Sequence, residues 1–376
     1  MRLALITNIP APYRLPVWDS LGQKVDSLRV FLCSETEPNR VWQSEALNGF
    51  SFTHTQLSGV HLFIQSLDWA IHFNPALWQE LTRYKPTHIL LSSYETPSYL
   101  LALVYAKFKK IPITLWWESH ALSSRFHSGP IKWLKQGVLR QIDSFCSASH
   151  PSKEYLIKNL GVPERNVVGA VNTVDVRHWH DLAMQGRENG SHPDRPIHFL
   201  YVGQFIKRKG IIELLTAFKS ISAETGMLRL VGYGPQESEL RTFISEYHME
   251  NVEIVGATST MEQTARQYSW ADVLVMPSLS EVWGLVVNEA LASGVYVMAS
   301  KYAGATHDLI KMAPYDVGVS FDPLKNECFV HALLSVIEKQ KAIDPRAVST
   351  WGLQHTPEKY AQSLLDAILL ADSKAS

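Results

Sequence analysis

The sequence has no excess of charge of either sign. Its 376 residues include 35 Lys and Arg against 36 Asp and Glu, which gives a formal net charge of -1. A dedicated nucleic-acid-binding protein is normally basic, so this balance argues against a nucleic-acid partner. The balance conceals a division, because residues 1–165 hold 17 basic and 12 acidic residues whereas the rest of the chain is acidic.

Cysteines and long apolar runs are also scarce. The three cysteines, Cys33, Cys146 and Cys328, are scattered along the chain, which predicts a reducing compartment and no disulfide framework. No apolar run approaches the roughly 18 residues needed to span a bilayer. The Met1–Pro10 segment has the pattern of a buried first strand rather than of a signal peptide. We therefore expect a cytoplasmic protein.

Short apolar runs alternate with helical patterns along both halves of the chain. This alternation predicts an α/β protein with two Rossmann-like βαβ domains, each a parallel sheet covered by helices. Ligands of such sheets bind beyond the carboxyl ends of the strands, so we expect the binding cleft there. The predicted strands are Leu3–Ile9, Leu28–Leu32, His88–Leu91, Ile113–Trp117, Ser144–Ala148, His198–Val202, Leu228–Val231, Val252–Val255, Val273–Met276, Val295–Ala299 and Gly318–Phe321.

A polar stretch in the middle of the chain, Asp181–Pro196, separates the two runs of strands. It is rich in Gly, Asn, Ser and Pro, a composition typical of interdomain linkers. We predict an N-terminal domain at 1–175, a linker at 176–195 and a C-terminal domain at 196–355. A C-terminal helix is expected at 356–376, and whether it returns to the N-terminal domain is left open.

The stretch from Ala271 to Gly294 carries the sharpest functional signal. Its pattern predicts a strand, a loop and then a helix that begins near Gly284. The first N–H groups of such a helix suit a phosphate, and a glycine lets the backbone approach it closely. Glu281 before the helix and Glu289 within it are better suited to accept hydrogen bonds from hydroxyls, as on sugars.

The same stretch resembles the donor-binding signature of retaining GT-B glycosyltransferases, specifically glycosyltransferase family four. The matching elements are the two acids separated by seven residues, the Gly-Leu pair between them and the following Ala-Leu-Ala-Ser-Gly. The resemblance implies the GT-B architecture, with two Rossmann-like domains facing a central cleft, an acceptor-binding N-terminal domain and a donor-binding C-terminal domain. It implies that Glu281 contacts hydroxyls of the transferred sugar and acts in catalysis. It also implies that the amides of Gly284 and Leu285 hold the diphosphate, and that Glu289 binds the nucleotide ribose.

A second segment, Phe199–Leu215, resembles the first strand and loop of the same C-terminal domain. In the family this loop usually carries an Arg and a Lys close to the donor diphosphate. Lys209 matches the Lys, but Gln204 stands where the Arg is usual. Gln can donate a hydrogen bond but supplies no charge. Lys207 or Arg208 is left as an alternative source of the second positive charge.

Three glycines complete the predicted donor site. Gly203 precedes the loop just described, and Gly234 belongs to a Gly-x-Gly-Pro stretch that resembles a family loop near the nucleotide. Gly256 ends the next strand and is assigned a backbone contact to the base. No strand is followed by a full Gly-x-Gly-x-x-Gly, which disfavours a dehydrogenase.

Candidate acceptor-side residues lie in the first half of the chain. The loop after the first strand holds Pro12, Tyr13 and Arg14, and it resembles a Pro-x-Pro-Tyr-Arg subgroup of the family that suggests bacterial surface glycans. The alternative is a packing motif at a helix start. Glu118 and His120 follow a later strand. The family commonly places a His on such a loop near the reacting centre, so His120 is the catalytic candidate and Glu118 an alternative acceptor-orienting base.

One predicted helix, Pro130–Arg140, alternates basic and apolar residues at helical spacing. A Trp and Leu face with Lys and Arg flanks suits shallow peripheral contact with an anionic membrane, and the basic N-terminal half agrees with that interpretation. The alternative is a core-facing helix with a solvated basic side.

The resemblance implies a retaining glycosyltransferase that moves a sugar from a nucleotide-diphosphate-sugar to a hydroxyl acceptor. The acceptor expected is a glycan or a lipid-linked glycan, within polysaccharide biosynthesis. The nucleotide-sugar is a co-substrate, and no cofactor is implied. We expect no tightly bound metal, because the sequence has no Asp-x-Asp triplet and no His/Cys cluster at ligand spacing. Two alternatives remain: a sugar-nucleotide epimerase of GT-B shape, and an inactive sugar-nucleotide-binding subunit, which the uncharged Gln204 makes thinkable.

Overall fold

The structure is a computed structural model in which two compact units can be distinguished. Unit 1 comprises Met1–Val171 together with Pro357–Ser376, and unit 2 comprises Asn172–Thr356. Each unit is an α/β structure built on one parallel sheet. The residues that the structure describes are 1–38, 47–65, 69–124, 129–186 and 195–375.

The strands of both units are short, and most are buried apolar runs, as parallel strands covered on both faces should be. In chain order they are β1 (Arg2–Thr7), β2 (Ser27–Leu32), β3 (Thr53–Gln56), β4 (Val60–Ile64), β5 (Trp69–Phe73), β6 (His88–Leu91), β7 (Ile113–Trp117), β8 (Ser144–Ser147), β9 (Val167–Gly169), β10 (Ile197–Val202), β11 (Gly226–Val231), β12 (Val252–Gly256), β13 (Val273–Met276), β14 (Tyr296–Ser300) and β15 (Gly318–Phe321).

Helices connect most of these strands, and several begin at a proline, which is tolerated in the first turn of a helix. They are α1 (Leu15–Gly22), α2 (Leu77–Tyr84), α3 (Pro97–Lys109), α4 (Pro130–Leu139), α5 (His150–Glu154), α6 (Val176–Gly186), α7 (Ile211–Phe218), α8 (Glu237–Glu246), α9 (Met261–Trp270), α10 (Leu285–Ala292), α11 (Asn326–Glu338), α12 (Pro345–Gly352) and α13 (Pro357–Ala375). Short 3₁₀ turns include Pro12–Arg14 and Lys207–Lys209.

The sheet of unit 1 has seven parallel strands in the order β3-β2-β1-β6-β7-β8-β9. Helices α2, α3 and α4 contribute apolar residues to the core on one face of this sheet. Helices α1 and α13 pack on the opposite face. The C-terminal helix is therefore part of unit 1, although it is the last element in the sequence.

The two remaining strands of unit 1, β4 and β5, form a separate antiparallel hairpin. This hairpin was not predicted, and neither were β3 and β9. Strand β3 has the sequence Thr-His-Thr-Gln and is mostly exposed at the sheet edge, so it carries no apolar signal. Strand β9 has only three residues.

The sheet of unit 2 has six parallel strands in the order β12-β11-β10-β13-β14-β15. The strand order reverses between β10 and β13. In a doubly wound sheet the crevice at this reversal is where ligands bind. The loops after β10 and β13 are therefore the expected position of a ligand in unit 2.

All eleven strands predicted from the sequence are present, and the predicted α/β fold class is confirmed. The predicted linker at 176–195 differs from the structure. Its first part is helix α6, whose buried face packs against α9 and α10 within unit 2, and residues 187–194 lie outside the described part of the chain. The first passage of the chain between the units is at Val171 and Asn172. The linker was predicted too late in the sequence because α6, although amphipathic, has a polar composition.

Candidate active site

Two loops of unit 2 meet at the carboxyl edge of its sheet, where the strand order reverses. One follows β10 and contains Arg208 and Lys209, and the other follows β13 and leads to α10. The backbone N–H of Leu279 donates to the carbonyl of Arg208 at 2.8 Å. This bond fixes the two loops against each other, so that side chains far apart in sequence converge.

Glu281 lies at the centre of this convergence and faces two cations. Lys209 Nζ donates a hydrogen bond to Glu281 Oε2, and Arg208 Nη1 lies 3.7 Å from the same oxygen. Ser278 Oγ donates weakly to it at 3.5 Å. Burial disfavours the ionised carboxylate, but the two cations outweigh burial and lower the pKa of Glu281 below its usual value. Glu281 is therefore a carboxylate held by positively charged neighbours.

Helix α10 begins directly after Gly284, as predicted. Gly284 has φ +101°, in the left-handed region, and a Cβ at this position would lie 2.5 Å from Met276 Sδ. A residue with a side chain would be strained here, since both the backbone angle and the space favour glycine. The N-terminal end of α10, from Leu285, thereby lies beside the loop that holds Glu281, and its positive dipole end is available to an anion.

Glu289 lies one turn into α10 and has a partner that the sequence did not reveal. Tyr268 of α9 donates its hydroxyl to Glu289 Oε2 at 2.7 Å, and Tyr268 is fully buried. Burial raises the pKa of Glu289 to about 7, and the Tyr268 hydrogen bond opposes that rise only in part. The carboxyl group is therefore poised between its two protonation states near neutral pH.

Further buried contacts hold the Glu281 loop, and no sequence pattern predicts them. Trp283 Nε1 donates to Asn288 Oδ1 at 2.7 Å, and Asn288 Nδ2 donates to the carbonyl of Asn172 at 3.0 Å. The loop after β14 also contributes, since Ala303 forms a parallel bridge with Glu281 and Ala305 N donates to the Trp283 carbonyl at 3.1 Å. Only the folded structure brings these residues together.

The predicted glycines lie in the neighbouring loops, and Gly234 has a packing role there. A Cβ on Gly234 would lie only 2.4 Å from the carbonyl oxygen of Phe205, so the loop after β11 can pack on the loop after β10 only with glycine there. Tyr201 donates its hydroxyl to the carbonyl of Gln204, next to Gly203, at 2.8 Å. At the outer end of β12, the Gly256 carbonyl accepts from a loop N–H at 2.9 Å.

In unit 1 the structure brings Arg14 and Glu118 together, although they are 104 residues apart. Arg14 Nη2 lies 2.7 Å from Glu118 Oε1. The guanidinium also lies over the ring of Trp116, 4.5 Å from its centroid, and belongs to the short turn Pro12–Arg14 that contains Tyr13. Burial opposes the charge of Arg14, but Glu118 and Tyr13 outweigh it and the pKa of Arg14 rises.

His120 lies two residues beyond Glu118 but in a different set of contacts. It is 2% exposed, and its Nδ1 accepts the backbone N–H of Leu122 at 3.2 Å. The ring nitrogen that accepts cannot carry a proton. The Ser123 hydroxyl bonds both the N–H and the carbonyl of His120. Leu122 and Ser123 thus hold His120 from within its own loop, close to Glu118 in sequence.

The basic and apolar helix α4 presents a large apolar surface. Trp133 is 75% exposed and Leu134 71%, so they do not face the core. Lys135 instead folds onto aromatic rings, with Nζ 4.8 Å from the ring centroid of Trp117 and 5.2 Å from that of Tyr155. Burial lowers the pKa of Lys135, and Glu95 opposes this. The alternative of a core-facing helix is therefore wrong for these two apolar side chains.

The described part of the chain holds neither a metal-binding cluster nor a membrane-spanning helix. Among these residues no group of three or more His, Cys, Asp or Glu side chains is arranged to hold a metal ion. In the same ranges no helix has both the length and the apolar character required to cross a bilayer.

Comparison with solved structures identifies the fold. The chain superposes on Anabaena Alr3699/HepE, solved with UDP and glucose, with a TM-score of 0.73 and 15% identity over 98% of this chain and 99% of that one. It superposes on the lipopolysaccharide outer core galactosyltransferase WaaB with a TM-score of 0.72 and 17% identity, covering 98% and 99% of the two chains. The two α/β units are therefore those of the GT-B fold.

Comparison of sequences adds a family match in the C-terminal half. Residues 185–349 match the family described as Glycosyl transferases group 1. The sulfoquinovosyl transferase SQD2 of Arabidopsis thaliana is 24% identical over 79% of this chain and 58% of its own length. A glycogen synthase of Mycobacterium tuberculosis is 27% identical over 61% of this chain and 53% of its own. The chain thus spans little more than half the length of these curated relatives, and the family match is confined to residues 185–349.

Proposed function

We propose that this protein is a retaining glycosyltransferase that transfers a sugar from a nucleotide-diphosphate-sugar to a hydroxyl acceptor. The observation that carries the proposal is the grouping of Lys209, Arg208 and Glu281 beside the start of α10. This grouping lies in unit 2, at the reversal of strand order where doubly wound sheets bind ligands. The group 1 domain match covers the same residues.

The donor diphosphate is assigned to the two cations and the α10 terminus. Two positive side chains face a single carboxylate here, so the pocket has a surplus of positive charge for an anion. Backbone amides at Gly284 and Leu285 add the dipole of the helix terminus. Stabilising the leaving diphosphate in this way lowers the barrier, because charge develops on it as the sugar departs. Arg208 thereby supplies the charge that Gln204 lacks.

The two carboxylates are assigned to hydroxyl groups of the donor. A diphosphate that engages Lys209 competes with Glu281 for that ammonium group, which leaves the Glu281 oxygens able to accept from the transferred sugar. Glu289 accepts a hydrogen bond from the Tyr268 hydroxyl, and we assign it to the ribose of the nucleotide. For a retaining reaction we favour attack on the same face as the departing diphosphate, with a phosphate oxygen taking the acceptor proton. That route needs no second catalytic carboxylate and no metal ion.

The acceptor is assigned to unit 1. Pro12, Tyr13 and Arg14 follow β1, and Glu118 and His120 follow β7, so both loops lie at the carboxyl edge where α/β sheets bind ligands. His120 or Glu118 orients the acceptor hydroxyl. We propose a glycan or lipid-linked glycan as acceptor, and a UDP-sugar as donor because HepE was solved with UDP and glucose.

Peripheral contact with an anionic membrane is proposed for α4 and the outer side of α3. Trp133 and Leu134 stand out from α4, and Val104 and Phe108 from α3, which packs on the same face of the sheet. Besides Lys135, which folds onto aromatic rings, the basic residues of these two helices and their ends are Lys107, Lys109, Lys110, Lys132 and Arg140. Exposed apolar side chains with basic flanks match a membrane surface with negative charge.

A nucleotide-sugar panel tests the donor assignment. A ligand that binds only the folded state raises the melting temperature, so one UDP-sugar should stabilise the wild type and fail to stabilise Lys209→Ala. Transfer to an acceptor should follow without added metal. Epimerisation or hydrolysis of the donor alone would favour the epimerase, and donor binding without turnover would favour an inactive subunit.

Sedimentation with vesicles tests the membrane proposal. The double substitution of Trp133 and Leu134 by Ser should abolish binding to vesicles of phosphatidylglycerol and phosphatidylcholine. Leu324→Ser removes an apolar side chain of similar exposure, 62%, from unit 2 and should leave binding unchanged. Equal sedimentation of all three proteins would contradict the assignment.

A further inference from the structure

Two histidines face each other across the β4–β5 hairpin, outside the sites described above. His61 of β4 and His72 of β5 are directly opposed in the antiparallel register, so their side chains lie on the same face of the hairpin. Their Nδ1 atoms are 2.9 Å apart. The ring planes are inclined at 63° with centroids 5.1 Å apart, so the contact is directed through the nitrogens rather than through stacked faces.

The second ring nitrogen of His72 is bound to a carboxylate. His72 Nε2 lies 3.2 Å from Glu37 Oε1, and Asn8 Nδ2 donates to the same oxygen at 3.1 Å. Both Glu37 and His72 are buried. A carboxylate on Nε2 places the proton of a neutral ring on that nitrogen, which turns the lone pair of Nδ1 towards His61. The orientation of His72 is therefore fixed from the side opposite His61.

Such a carboxylate–histidine pair is the arrangement that orients histidine ligands in protein metal sites. Two nitrogens bound at right angles to one metal ion, as in the tetragonal geometry of Ni²⁺, each about 2.05 Å from it, are about 2.9 Å apart. The tetrahedral angle usual for Zn²⁺ separates them by about 3.3 Å. The observed separation of the two Nδ1 atoms has the right-angled value. The two Nδ1 atoms can thus share one proton or bind one cation. The carboxylate of Glu37 supplies negative charge in either case.

We propose that His61 and His72 form a binding site for a late first-row divalent cation, with Ni²⁺ and Zn²⁺ as the test ions. Imidazole nitrogens suit these ions, and water completes the coordination because the described residues supply two protein ligands. His61 is exposed to solvent, which gives the ion a route to the site.

When both histidine rings are neutral, the metal ion binds without net release of a proton. The proton of the hydrogen bond between the rings, on Nδ1 of His61, moves to Nε2 of the same ring. Two metal–nitrogen bonds then replace two metal–water bonds, and His72 keeps its proton on Nε2 towards Glu37. The bound ion would join the hairpin, through Glu37 and Asn8, to the loops that follow β2 and β1.

Calorimetric titration of the full chain with Ni²⁺, and separately with Zn²⁺, tests the site. The wild type should bind one ion per chain. His61→Gln should weaken binding at least tenfold, whereas His54→Gln, at an exposed histidine of β3, should bind as the wild type does. Glu37→Gln should weaken binding about 10- to 100-fold, as loss of an outer carboxylate does elsewhere.

Thermal unfolding without metal checks that each variant is folded. His61 is exposed, so its replacement leaves the core intact even if changes at buried Glu37 do not. The proposal is overturned if the wild type binds neither ion, or if folded His61→Gln binds with wild-type affinity. Either result would mean that the two rings share only a proton. The glycosyltransferase proposal would be untouched by both.

Discussion

Each unit contains a pairing of cation and carboxylate at the carboxyl edge of its sheet, and the two pairings differ in their charge balance. In unit 2, Lys209 and Arg208 both face Glu281, so two positive charges meet one negative charge. In unit 1, Arg14 meets Glu118 alone, and the guanidinium rests on Trp116. The first arrangement retains positive charge for an incoming anion, and the second is neutral.

The surroundings of the Glu281 group also favour an anion more than those of the Arg14–Glu118 pair. The Glu281 loop leads into the N-terminal end of α10, which adds to the attraction for an anion. Arg14 is mostly enclosed, and its Nη1 is buried with no hydrogen-bond partner among the described residues. Both N–H groups of Nη1 are thus unpaired there, while Nη2 is engaged by Glu118. The comparison supports placing the proposed anion site in unit 2 rather than at the neutral pair of unit 1.

The largest expected effect is on catalysis at Glu281. Glu281→Gln keeps the size of the side chain but removes the charge that fixes the two cations and the sugar. We expect kcat to fall about 100-fold or more, the scale seen when one preorganised polar group is lost from an active site. Steady-state transfer assays measure it, with Glu224→Gln, an exposed acid of unit 2, as the control. Near-normal transfer by folded Glu281→Gln would remove the catalytic role.

The next effect distinguishes the three cations of the Lys207–Lys209 turn. Lys209→Ala should raise the donor dissociation constant about 10- to 100-fold, since a hydrogen bond to a charged group contributes about 1.5–3 kcal/mol. Arg208→Ala should raise it less, because Arg208 lies farther from Glu281. Lys207→Ala is the matched control and should bind UDP like the wild type. Equal losses from all three would mean that the turn acts only through its net charge.

A smaller effect, on stability rather than on donor binding, is expected in unit 1. Arg14→Gln leaves the partly buried Glu118 without its partner, which should lower the free energy of unfolding by about 1–3 kcal/mol. Donor affinity should not change, because the donor is assigned to unit 2. Chemical denaturation and UDP titration measure the two quantities, with exposed Arg165→Gln as the control. Weakened UDP binding in Arg14→Gln would contradict the division of roles.

The sequence predicted unit 2 better than unit 1 for a physical reason. In unit 2 the features that form the site are local: a glycine before a helix, acids at fixed spacing and a basic turn after a strand. Unit 1 depends on contacts between distant segments, such as Arg14 with Glu118 or His72 with Glu37. The β4–β5 hairpin was also not predicted, and neither was helix α6, because the α6 segment is polar. Tyr268 could not be predicted as the partner of Glu289, since that pair exists only where α9 meets α10.

The smallest expected effect is on the pH dependence of donor binding. Burial raises the pKa of Glu289 to about 7, so in the folded protein this carboxyl takes up a proton as the pH falls through neutrality. A protonated carboxyl accepts hydrogen bonds from ribose hydroxyls less well. Donor affinity should therefore increase a few-fold from pH 6 to pH 8 in the wild type.

Glu289→Gln removes the titrating group and should flatten this profile between pH 6 and pH 8 at an affinity near the acidic limit. Glu281 should not contribute in this range, because its two cations hold its pKa below the usual value. UDP titrations across the range separate the two acids. If the donor affinity of Glu289→Gln still changed between pH 6 and pH 8, the pH dependence would belong to another group. The assignment of Glu289 to the ribose would then lose this support.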